Sequence, residues 1–281
     1  MRLISAGILL DSLKIDRLEK RWTARGLFLV IFGIFVSANL WPIGNPNFSA
    51  WDAWYDELYK QYETFLYAST ETFLATPDIG LPATLAGNML YICFVIAIGF
   101  VITMIAFLYT RIYIGDRSGQ KITASLGAYF RRLPLLFLFL CLYFIFCVVL
   151  IFAATITIGL IIPQVTALLY LMIPLVLLSG LIFAPIEITY SRTGLIEALL
   201  RSIRYTRGFK FSIFWGLLAL FCMYTLTQFV FHQFLGTNSG AGILIDGFLL
   251  SFLLIAFGRQ AGILYDKIKL HPEPDKAEGE E

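Results

Sequence analysis

The chain has 281 residues, of which 59% are hydrophobic and only 14% charged, with a formal net charge of +2. Soluble domains carry about 45–50% apolar and about 25% charged residues. This balance excludes a pair of soluble domains, a disordered or collagenous chain, a disulfide mini-domain and a nucleic-acid binder.

The N-terminal MRLISAGILLDSLKIDRLEKR lacks the basic, apolar, small-residue order of a cleavable signal. The first apolar run is therefore read as a retained span. Before it, Leu9, Leu13, Leu18 and Trp22 fall along one side of Ile8–Trp22, which predicts an amphipathic segment.

A spanning helix needs about 20 mostly apolar residues. Six runs approach or exceed this: Gly26–Trp41, Ala86–Thr110, Leu133–Ile162, Gln164–Ile188, Phe211–Leu235 and Gly242–Tyr265. The third is long enough to require tilt or extension beyond the lipid. Pro134 suits the first turn of the third helix, Pro163 separates the third and fourth, and Pro174 predicts a kink within the fourth. The expected fold is all-α: a polytopic membrane helix bundle with six transmembrane helices and short amphipathic interfacial helices. Its expected parts are an amphipathic N-terminal segment over 1–25, a six-span domain over 26–265 and a tail over 266–281. The outer loop is 42–85, and the cytoplasmic loops are 111–132 and 189–210.

Lysine and arginine placement sets orientation. Nineteen of the 21 lie in residues 1–25, in the loops after spans two and four, and in the C-terminal tail. Lys60 lies on the opposite side, and Arg259 lies near the inner end of span six, where it is expected to snorkel to headgroups. Both termini are expected in the cytoplasm.

The outer loop carries Asp52, Asp56, Glu57, Glu63, Glu71 and Asp78 against one lysine. Ser49-Ala50-Trp51-Asp52 has capping-box spacing. Trp51, Trp54, Tyr55, Tyr59, Tyr62 and Leu66 then recur at helical spacing up to a stop at Pro77. Such a helix reads either as a lid or docking element, or as an aromatic-anchored interfacial helix.

Two cytoplasmic stretches look alike: KITASLGAYFRR before span three and LIEALLRSIRYTR before span five. Each predicts a short amphipathic helix on the inner leaflet. Arg131, Arg132, Arg201, Arg204 and Arg207 are candidates for lipid headgroup contacts, and Gly208 suits the stop of the second helix. The final HPEPDKAEGEE reads as a disordered tail.

No catalytic motif is present: the chain contains no GxSxG, HExxH, Walker A or GxGxxG sequence. Four cysteines without CxxC spacing and two histidines give no metal site, and no cofactor is expected. Polar residues within spans are then the functional candidates, because burying them in lipid is costly. Thr225, Gln228 and His232 share one face of span five. The short return to span six brings Asp246 to the depth of His232, so an Asp246–His232 contact is expected. This cluster reads as an outward-facing pocket for a ligand or proton, or as an interhelical clamp. Asn88, at the outer end of span two, could join it or act as a cap. Glu187 follows Pro185 near the arginines of the next helix. Glu187 and Pro174 are candidate coupling or hinge residues, and a salt bridge anchoring that helix is the simpler role for Glu187. Thr155 and Thr157 can bond their own helix.

The stretch Ala184–Leu220 contains Pro185, Glu187, Gly194, Glu197, Ala198, Ser202 and Gly208. It resembles the polytopic membrane domains of some bacterial glycerophosphodiester phosphodiesterases and related stand-alone integral membrane proteins of unknown function. The outer loop departs from that pattern. The resemblance implies an all-helical protein of a bacterial plasma membrane. It does not imply phosphodiesterase activity, which in that family belongs to a separate soluble domain.

The leading expectation is a non-catalytic accessory or scaffold protein for envelope or lipid processes that binds a lipid or amphiphile. Its expected partners are membrane lipids and a protein in the membrane or at the cytoplasmic face, with no nucleic acid. The alternatives are a transporter membrane subunit and an intramembrane lipid-modifying enzyme. For the former, Glu197-Ala198-Leu199 is followed by glycine only at Gly208, which is the wrong spacing for an ATPase-coupling loop.

Overall fold

A computed structural model describes residues 6–15, 21–44, 49, 53, 56, 57, 60, 85–159, 166–235 and 239–270. The fold is all-α. The elements in order are α1 (Ala6–Ser12), α2 (Arg21–Leu40), α3 (Leu85–Arg117), α4 (Ile122–Ala154), a π-helical turn at Thr155–Gly159, α5 (Thr166–Leu181), α6 (Ala184–Thr189), α7 (Leu195–Thr206), α8 (Lys210–Leu235), α9 (Gly240–Tyr265) and a second π-helical turn at Asp266–Leu270. Among the described residues six helical stretches are long and apolar enough to cross a membrane. Helices are the form expected there, because each satisfies its own backbone polar groups without water.

Contacts divide the chain into two compact units, residues 1–34 with 100–281, and residues 35–99. In the second unit Gly44 adopts φ +99, and a Cβ there would stand 2.7 Å from the Tyr91 backbone nitrogen. Only glycine fits that combination of conformation and close approach. Ser49, Ala53, Asp56, Glu57 and Lys60 are helical and exposed. The rest of the expected outer helix lies outside the described residues, as do Leu18, Pro163 and the tail from His271.

In the first unit, α3 and α4 form a helical hairpin. The expected interfacial helix at 121–132 is instead the beginning of α4, a single helix of 33 residues. At 1.5 Å per residue it is about 50 Å long, well beyond a hydrocarbon core of about 30 Å. Pro134 therefore lies inside the helix rather than in its first turn. It removes one backbone hydrogen bond, and the unbroken run of helix formers on both sides carries the helix through. Likewise Arg111 and Arg117 belong to α3, and the connection shrinks to residues 118–121. There Gly119 turns at φ +70, and the Ser118 hydroxyl donates to the carbonyls of Ile114 and Gly115.

Helix α3 meets α9 through small residues. A Cβ on Gly258 would lie 2.8 Å from the Ala106 carbonyl oxygen, and Thr110 Oγ1 donates to the Gly258 carbonyl at 3.0 Å. Close backbone approach through a small residue is a common way for membrane helices to pack. N-terminal helix α1 docks on α9 and buries Ile8 and Ser12 rather than the expected side, of which Leu9 and Leu13 are only half-buried. Trp22 remains 80% exposed, with the Arg25 guanidinium 5.5 Å from its ring.

The fourth span is interrupted at residues 182–183, between α5 and α6. Pro174 sits within α5, and its carbonyl accepts from Tyr143 Oη of α4 at 2.8 Å. The interruption is a separate feature from the kink expected at Pro174: it lies just before Pro185, which has no N–H to continue the ladder. Two side chains of α7 satisfy the freed backbone groups. Ser202 Oγ accepts from the Phe183 N–H at 3.2 Å and donates to the Gly180 carbonyl at 3.0 Å, and Thr206 Oγ1 reaches the same carbonyl at 3.3 Å. This seats α7 against the break by its Ala198, Ser202 and Thr206 stripe, which is fully buried. Gly208, at φ +90, follows the end of α7.

Candidate functional site

Three features of the first unit are candidates: a polar cluster at the α8–α9 turn, a larger one at the α5–α6 break, and an apolar groove.

The first cluster assembles largely as the sequence predicts. Ser239 Oγ caps α9 by accepting from the Gly242 N–H at 2.9 Å, which sets the antiparallel return of α9 along α8. Asp246 Oδ1 then accepts from Gln228 Nε2 at 3.1 Å and lies 3.0 Å from His232 Nε2. The His232 and Asp246 side chains are 16% and 17% exposed. His232 Nδ1 is buried and has no hydrogen-bond partner among the described residues. Thr225 does not join, because its hydroxyl donates to the Phe221 and Cys222 carbonyls of its own helix. Asn88 is fully buried in the second unit.

The second cluster is centred on Glu187 of α6, whose side chain is 0% exposed. Glu187 Oε1 accepts from Tyr265 Oη of α9 at 2.6 Å and from the Lys269 ammonium. Lys269 Nζ also lies 2.7 Å from Tyr265 Oη and 3.0 Å from Ser191 Oγ. The rings of Tyr205 and Tyr265 each have centroids 5.1 Å from the same nitrogen. Arg201 Nη1 stands 3.6 Å from Glu187 Oε2, while Arg201 also pairs with Glu197 on its own helix. Partial desolvation tends to lower the Arg201 guanidinium, but the charge of Glu197, its hydrogen bond and the charge of Glu187 outweigh that and hold it above its ordinary value.

Sequence reasoning anticipated the contact between Glu187 and an arginine of α7. It missed Tyr205, Tyr265, Lys269 and Ser191. Tyr265 and Lys269 are four residues apart and share a helical face, which is the only local signal. Nothing local points them at a carboxylate 78 and 82 residues away.

A further buried cation lies in α3, at a position where the sequence predicts a loop. Arg111 is 4% exposed, donates from Nη2 to Gln120 Oε1 at 2.9 Å, and lies 5.0 Å from the Tyr190 ring centroid. Its Nε and Nη1 have no hydrogen-bond partner among the described residues. Arg259 departs from expectation. It does not snorkel: it is 4% exposed, donates from Nε to the Asp11 carbonyl at 2.7 Å and covers the Tyr113 ring. The docking of α1 supplies that carbonyl. Of the other expected headgroup arginines, Arg131, Arg204 and Arg207 are exposed, and Arg132 donates to the Arg192 carbonyl. Arg201 is committed to its two carboxylates. Thr157 bonds its own helix at the Ala153 and Ala154 carbonyls, and Thr155 Oγ1 is buried without a partner among the described residues.

The groove has a volume of about 900 Å³. Leu142 and Phe146 of α4, Leu177 and Gly180 of α5, and Leu199 and Ile203 of α7 line it, with Phe214 and exposed Lys210 from α8. The Cβ position of Gly180 has open space around it. On the same α7, Ile196 and Leu200 are 74% and 60% exposed. Among the described residues no three histidine, cysteine or acidic side chains gather as a metal-ligand set.

No protein-family model, curated protein or solved structure matches the chain.

Proposed function

We propose that the protein is a non-catalytic accessory protein of a bacterial plasma membrane that holds a lipid or other amphiphile in the groove between α4, α5, α7 and α8. The groove is the observation that carries this reading. Its volume lies in the range of small-molecule sites, about 300–1,000 Å³. Its walls suit acyl chains, and Lys210 supplies a cation at an otherwise apolar surface. Helix α7 presents exposed apolar residues beside exposed Arg204, the pattern of a helix at the membrane–water boundary. The distribution of lysine and arginine supports cytoplasmic termini and, with them, a groove toward the inner leaflet. The resemblance of residues 184–220 to bacterial membrane domains supports the compartment and covers the helix that lines the groove.

The test is native purification followed by mass spectrometry of retained lipids, comparing the wild type with Gly180→Leu, which fills open space in the groove. A several-fold drop in retained lipid at unchanged protein yield is expected. Equal lipid retention would refute the groove as the site. Stoichiometric co-purification of an ATPase would replace the accessory reading with a transporter subunit.

A further inference from the structure

The Lys269 ammonium is held by groups that would hold any primary ammonium. Such a group has three N–H donors, and three oxygens surround it: a carboxylate oxygen of Glu187, Ser191 Oγ at 3.0 Å and Tyr265 Oη at 2.7 Å. The rings of Tyr205 and Tyr265 complete the enclosure. Aromatic rings beside a carboxylate are the usual means of recognising an alkylammonium ion, because ring quadrupole and anion both favour the cation. The cage walls come from α6, the following loop, α7 and α9. Its occupant comes from the turn after α9, at the end of a flexible four-carbon stem. Lys269 is 23% exposed, so the site reaches the surface, whereas Glu187 at its floor is 0% exposed. Arg201 does not fill the position of the Lys269 ammonium: it faces the other oxygen, Glu187 Oε2, at 3.6 Å and is shared with Glu197.

We propose that Glu187, Ser191, Tyr205 and Tyr265 form a binding site for a primary alkylammonium group, filled from within the chain by Lys269 and open to an external amine when Lys269 withdraws. The site is distinct from the apolar groove and does not depend on the lipid reading. Helix α7 separates the two: Leu199 and Ile203 face the groove, and Tyr205 faces the cage. The external amine is a free alkylamine or an amine-bearing lipid headgroup, which share the same chemistry.

The test removes the internal ligand and returns it in solution. Lys269→Ala, purified as the full chain in detergent, is expected to unfold at lower temperature than the wild type. Titration with n-propylammonium is expected to restore at least half of that loss and to saturate, while sodium at equal ionic strength does not. The wild type is expected to show no saturable response. Adding Tyr205→Leu to Lys269→Ala should raise the half-restoring amine concentration about 3- to 10-fold. Lys269→Ser, read the same way, serves if the alanine variant does not accumulate. Nanodiscs of phosphatidylethanolamine against phosphatidylglycerol separate the sources: stabilisation by both the lipid and the free amine assigns a headgroup, and stabilisation by the free amine alone assigns a soluble ligand. The absence of saturable restoration in both lysine variants, or an equal response in the wild type, overturns the cage. Neither result bears on lipid retention by the Gly180→Leu variant.

Discussion

The two polar clusters at opposite ends of α9 are built in different ways. Near its start, Asp246 meets Gln228 and His232 across a short helical turn, at separations of 18 and 14 residues. Near its end, Tyr265 and Lys269 meet Glu187 across 78 and 82 residues, with α7 adding Arg201 and Tyr205. The first is a half-buried contact between adjacent helices. The second is a fully buried carboxylate on which hydroxyl and ammonium donors from distant segments converge. Cost in a membrane protein depends on what is left behind when a partner is removed. An orphaned group that can still reach water costs little, and a sequestered charge costs much.

That difference is measurable. Lys269→Ala should have the largest effect, about 3 kcal/mol of lost stability, because it leaves the Glu187 carboxylate, 0% exposed, without the ammonium that pairs with it. Reversible unfolding by denaturing detergent in mixed micelles reads this directly. A loss under about 1 kcal/mol would place the cluster among ordinary surface pairs. The His232–Asp246 pair should show less. A double-mutant cycle with His232→Ala and Asp246→Ala is expected to give a coupling of about 0.6–1.7 kcal/mol, as for polar contacts between membrane helices. A coupling well above that range would make the two clusters energetically equivalent and erase the contrast. Thr225→Val should be smallest, within about 0.5 kcal/mol of wild type. Thr225 shares a helix with His232, but its hydroxyl is bound to its own backbone. A larger loss in the same assay would show that it belongs to the Asp246 cluster.

The same contrast explains which parts of the site were legible in sequence. Gln228, His232 and Asp246 could be paired because helix periodicity and a short turn fix both face and depth. Glu187 could be singled out as an acid following a proline in a span. Its partners could not, because Lys269 looks like any charge beyond a span and Tyr265 like any interfacial aromatic. Arg259 and Arg111 misled for a related reason. An arginine at a span end snorkels when lipid surrounds it, but packing of α1 encloses Arg259, and Gln120 and the Tyr190 ring cover Arg111.

The sequence by itself determined the class of the protein, the number of spans and the polarity of its loops. These follow from composition and from the cost of charge in lipid, which act residue by residue. For the fourth span it pointed to a kink at Pro174, and the α5–α6 break before Pro185 was not part of that expectation. Only the structure decided that residues 121–132 continue as helix into the third span, that α7 repairs the broken backbone with Ser202 and Thr206, and that Lys269 returns to a buried carboxylate. Those outcomes depend on which helices touch. In a membrane that choice rests on close packing and on satisfying individual polar groups, terms that periodicity along one chain segment does not carry.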